Sequence, residues 1–191
     1  MITSDEDIPA VVADINEKIQ AIQNYLGHRN LDSARIRFPR GYLRSCSTHK
    51  QKYPFLESEV LKSNIAYAKM TTDIYQWILN RTDISLTAKE MIIKQGIALL
   101  GSVAETIVKE FLKGQPGGGR KQNFKKKVEK LTSDEVISEE LQKDLCWLWD
   151  TRNGLHLMLL EQKEYNKYSI GDYNRATIIL KNLRVALGGT E

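Results

Sequence analysis

The chain has 191 residues, 41% hydrophobic and 27% charged, which predicts one domain, or one domain with an arm, and excludes a disordered chain. Two cysteines, Cys46 and Cys146, exclude a disulfide scaffold and fit a reducing, cytoplasmic setting. No apolar run reaches the length of a membrane span, and the opening MITSDEDIPA lacks an apolar signal core, so neither a membrane nor secretion is expected.

The net charge of +4 conceals a sorting. Segment 28–52 holds seven Arg/Lys and one Asp, and segment 114–130 holds six Arg/Lys and one Glu, so the rest of the chain is net acidic. Two basic segments on an acidic body suit a polyanion such as RNA. They also suit two solvated surface segments. If the partner is RNA, the candidate contacts are Arg35, Arg37, Arg40 and Arg44 in the first segment. In the second they are Arg120, Lys121, Lys125, Lys126 and Lys127.

In chain order, Val11, Ile15, Ile19, Ile22 and Leu26 make one apolar stripe on a helix predicted over 8–26, stopped at Gly27. From His28 to Pro54 the periodicity dissolves, and the segment is expected as a loop or arm packed through Phe38, Tyr42 and Tyr53. A second helix is predicted over 56–79, with Val60, Ile65, Ala68, Thr72, Tyr75 and Leu79 inward. A third is predicted over 87–113, opened by Thr87 and Glu90 as a capping box. Its centre, GIALLGSVA (96–104), is small or apolar all round, which marks a buried central helix. A short basic helix follows over 123–131. Ser138 then caps a helix predicted to reach Leu160, and a last helix spans 172–187. The expected fold is all-α, a bundle of about five long helices plus the short basic one. Residues 1–55 are expected as an N-terminal helix and basic arm, and 56–191 as the bundle.

Two patterns mislead. GQPGGGRK (114–121) approximates a phosphate-binding loop, but Arg120 stands in the lysine place, Gln122 follows Lys121, and a helix rather than a strand precedes it. It reads as an inter-helix loop. Cys46 and His49, with His28 upstream, have ligand-like spacing but no second pair to complete a zinc site. No metal and no cofactor is expected.

The informative residues are polar ones on apolar stripes. Leu141, Leu145, Leu148, Leu155 and Leu159 form the stripe of the Ser138 helix, and Arg152 occupies a place on it. A guanidinium there needs a partner. His156 lies one turn on and Asn153 beside it. On the central helix Ala98, Gly101, Ser102 and Glu105 make a small face ending in a carboxylate. Glu105 is therefore the expected partner of Arg152, with Asp150 as its competitor.

LWDTRNGLHL (148–157) resembles the signature helix of HEPN-type domains, small all-α modules in which a helix carries R-N and then H. The order of segments is similar too: an acid-bearing helix LLGSVAETIVKEFLK (99–113), a glycine loop with the basic RKQNFKKKVEKL (120–131), and a tail EYNKYSIGDYNRATIILKNL (164–183). The resemblance covers about residues 90–187. It implies a homodimer with the arginine and histidine at a cleft, and either a metal-independent RNA endonuclease of toxin or antiviral type or a non-catalytic binding module, with an antitoxin or other protein as a possible partner. Under the nuclease reading, His156 is the general acid/base, Arg152 binds the scissile phosphate, Asn153 orients His156 or a phosphate oxygen and Glu105 holds Arg152. Three residues separate Arg152 from His156, where catalytic members have about four to six. The implied function is therefore a non-catalytic interaction or regulatory module that binds RNA, with the nuclease as the alternative.

Overall fold

The computed structural model describes residues 2–113, 115–116, 122–154 and 167–190. Among them there are helices and no strands: α1 (Ile8–Leu26), α2 (Cys46–Lys50), α3 (Glu59–Arg81), α4 (Leu86–Phe111), α5 (Phe124–Ser133), α6 (Glu139–Asn153) and α7 (Ile170–Ala186). The all-α bundle expected from periodicity is what forms. The chain divides into two compact units, Met1–Arg40 and Gly41–Glu191, so residues 41–55 belong to the second unit.

The first unit is α1 with short 3-10 turns at Asp5–Asp7 and Asp32–Ala34. Pro9 falls in the first turn of α1, where its missing N–H costs nothing. Gly27 ends the helix with φ +59°, a left-handed conformation that favours glycine. No residue of α1 is buried.

The second unit is built around α4, which packs against α3, α5, α6 and α7. Ile97, Leu100, Ile107 and Val108 of α4 are fully buried against Leu145 and Leu148 of α6, Ile179 and Leu183 of α7, and Val128 and Leu131 of α5. Each such side chain contributes roughly 1.5–3 kcal/mol on burial. By length and composition α4 is also apolar enough to cross a membrane, and in this fold that apolar surface is spent on its four neighbours.

Serines and one asparagine start these helices. Ser58, Asn123, Ser138 and Ser169 each accept a hydrogen bond from a backbone N–H of the first turn. At Ser169 the bond is reciprocal, because Asp172 accepts from the Ser169 N–H. Several expectations are corrected. The box at Thr87 and Glu90 does not form, because α4 begins one residue earlier, behind Ser85. Val60 is 72% exposed rather than inward. The segment after His28 is not all loop, since Cys46–Lys50 forms α2, capped by Ser45. Its anchors differ in depth: Tyr53 is fully buried, edge-on to Phe55, while Phe38 and Tyr42 are half-buried.

Two glycines fix how closely the helices approach. A Cβ on Gly96 would stand 2.3 Å from Cε2 of Tyr173, so α7 seats its aromatic ring on bare α4 backbone. A Cβ on Gly101 would stand 2.9 Å from Cβ of Arg152, so the same device brings α6 onto α4.

Candidate functional site

Gly101 lets Arg152 lie across α4, and Glu105 one turn along α4 receives it. The Arg152 Nη2 to Glu105 Oε2 separation is 3.5 Å, with the side chains 28% and 14% exposed. Arg152 Nη1 donates to Asn153 Oδ1 at 2.9 Å, and the guanidinium lies 5.2 Å over the Trp149 ring. Trp149 in turn stacks on Phe124, centroids 4.8 Å apart. Glu105 is shared, since Lys109 of its own helix also donates to it. Asp150 does not compete for Arg152: it pairs with Lys125 at 2.7 Å. The structure thus brings together Arg152, Asn153 and Glu105. His156 lies outside the described residues, as do Leu155 and Leu159.

The second basic segment reaches this cluster through α5. Phe124 and Lys125 attach α5 to Trp149 and Asp150 of α6, and Lys126 is exposed. Lys127 is corrected. At 2% exposure it is buried on the inner side of α5 beside Val128 and Leu131, out of reach of a polyanion. Arg120 and Lys121 lie outside the described residues. In the first segment, Arg37 and Arg40 are exposed, and Arg35 is exposed and paired with Asp32 at 2.6 Å. These three belong to the first compact unit and Arg44 to the second.

Arg44 has a different role from the expected one. Its backbone N–H and its Nε donate to Asp73 Oδ2 at 3.2 and 3.1 Å, and its Nη2 donates to Oδ1. His49 Nε2 adds a hydrogen bond to Asp73 Oδ2 at 3.0 Å. Asp73 and His49 are buried, and burial alone would raise the carboxyl. The hydrogen bonds from His49 and Arg44 outweigh it and hold Asp73 well below the usual carboxylate range. His49 is thus engaged with an acid of α3.

No family model, curated protein or solved structure matches this chain.

Sequence reasoning missed the Asp73 network. The signal was there on α3, where Lys69, Asp73 and Gln76 follow Ile65 at helical spacings. An acid beside a lysine on a helix's inward side requires a partner. Its partners lie 24 and 29 residues away, in a segment without periodicity, so nothing local points to them.

Proposed function

We propose that this chain is a non-catalytic, HEPN-like interaction module whose α5–α6 edge binds RNA. The observation that carries the reading is the state of Arg152. One side of its guanidinium is turned to Glu105 and another to Asn153, while its face covers Trp149. A guanidinium whose donors meet the protein's own carboxylate and amide holds α6 against α4. A scissile phosphate would have to share the guanidinium with both partners. The three-residue spacing between Arg152 and His156 supports the same reading.

RNA binding then falls to the exposed cations on the neighbouring helix, with Lys126 in the open and Lys125 within reach once it exchanges Asp150 for phosphate. Retention of labelled total RNA on filters across a salt series tests this. The wild-type chain is expected to bind with an affinity that falls steeply with salt. Lys125→Glu with Lys126→Glu is expected to weaken binding and flatten the salt slope by about two phosphate contacts. Binding unaffected by the double substitution removes this edge from consideration.

A further inference from the structure

A second polar centre lies away from Arg152, between α2, α3 and α7. It is a cavity of about 240 Å³ lined by Arg44, Lys52, Lys69, Lys181 and Arg184, with His49 at its wall. That volume is many times the roughly 10–15 Å³ that admits one water. None of the described lining residues is acidic. The carboxylate of Asp73 is already committed to Arg44 and His49. The Lys69 ammonium has no hydrogen-bond or ion-pair partner among the described residues, and burial, with Arg44 beside it, pushes it down to about 8. Arg184 is 8% exposed, lies 5.9 Å from the Tyr53 ring centroid, and buries its Nε without a hydrogen-bond partner.

Lys69 and Arg184 bring cationic donors without hydrogen-bond partners to one recess, partly stripped of water, a costly arrangement unless something offsets it. We propose that this cavity is a binding site for a compact oligophosphate, the di- or triphosphate group of a small molecule. Arginine supplies planar donors for phosphate oxygens and lysine a point charge, so the lining carries both kinds of phosphate ligand. Thr72, Gln76 and Thr177, also on the lining, offer neutral polar groups to the remaining oxygens. The inference rests on these residues and is independent of the reading of Arg152.

Calorimetric titration of the full chain with pyrophosphate and tripolyphosphate tests it, with sodium chloride at matched ionic strength as the control and an RNA oligonucleotide as a separate arm. The wild type is expected to bind the small oligophosphates and to melt higher in their presence. Lys69→Met keeps the length of the side chain without its charge. It is expected to bind roughly tenfold more weakly, while melting no lower than wild type without anion. Lys69→Arg should restore binding. The proposal is overturned if chloride reproduces the effect, if Lys69→Met binds as well as wild type, or if RNA alone binds.

A separate observation concerns α1. Ile8, Val12, Ile15, Ile19, Ile22 and Leu26 recur at spacings of 4, 3, 4, 3 and 4, an unbroken coiled-coil seam. The first five are between 40% and 47% exposed. The seam is symmetric about residue 17: Ile8 with Leu26, Val12 with Ile22, and Ile15 with Ile19 each sum to 34. The charges share that symmetry. The acidic turn Asp5–Asp7 precedes the seam, and Asp5 mirrors Arg29 beyond its end. A parallel pair would stack acid on acid. We infer that α1 pairs antiparallel with α1 of a second copy, across a two-fold axis beside Glu17.

Sedimentation equilibrium of the full chain should give a dimer, and Ile15→Lys with Ile19→Lys a monomer of unchanged core helicity. Orientation is read by mixing Ile8→Cys and Leu26→Cys chains, each also carrying Cys46→Ser and Cys146→Ser. Disulfides are expected between the two variants and not within either. A monomeric wild type, a dimer that survives the double substitution, or cross-linking of Ile8→Cys to itself overturns the inference.

Discussion

Asp73 holds its carboxylate in the interior, between a histidine of α2 and an arginine just before that helix. Removing one member of a buried ionic group leaves the others uncompensated, so Asp73→Ala is expected to lose about 3–5 kcal/mol in urea unfolding. The pH dependence has a definite sign. The native carboxyl titrates below its unfolded value near 3.8, so its contribution is present above that value and is lost as pH falls through the depressed native one. Lys69 behaves oppositely to a salt-bridged lysine. Its native value is about 8 against 10.5 unfolded, so between these the unfolded chain binds more protons and stability rises with pH. Urea titrations from pH 7 to 10 should show that rise in the wild type. In Lys69→Met that component should be absent.

At the scale of helices, two glycines control two contacts. Gly96→Ala places a methyl inside the Tyr173 ring and Gly101→Val drives α6 from α4, and each is expected to cost about 1–3 kcal/mol through overpacking. Their consequences differ. Gly101→Val acts on the Arg152–Glu105 pair, whereas Gly96→Ala acts on Tyr173, whose hydroxyl donates to the Thr72 carbonyl at 3.2 Å. Equal loss of Trp149 fluorescence signal in both variants would contradict that separation. The helices themselves were legible where one stripe or one cap decides them: α1 falls where its apolar spacing put it, and Ser138 caps α6. The Glu105–Arg152 pair was legible for a related reason, since a lone cation and a lone acid each interrupted an apolar face. Lys127 was misplaced because it follows Phe124 by three residues and so falls on the same face as Phe124, Val128 and Leu131. The stripe on α1 predicted burial, yet no residue of that helix is buried within the chain.

Among the described residues, the buried apolar ones all lie from Tyr53 onward, within the unit Gly41–Glu191. A chain lacking residues 1–40 is therefore expected to melt within ~2 °C of the full chain while losing the helical signal of α1; a loss of cooperative unfolding would show that the two units share a core. Charge sorting is carried by the same division. The first basic segment straddles the boundary, with Arg35, Arg37 and Arg40 on one side and Arg44 tied to Asp73 on the other. The second segment, through α5, stands beside Arg152. Composition showed both segments as basic, and only long-range pairing separates the arginine that stabilises the interior from the lysines open to a polyanion. Under the proposed function the Arg152 helix is an interaction surface and does not cut RNA. Metal-free incubation of the purified chain with total RNA, beside Arg152→Ala and His156→Ala, distinguishes the two readings. Intact RNA with all three proteins is the predicted result, and cleavage by the wild type that both substitutions abolish would contradict it.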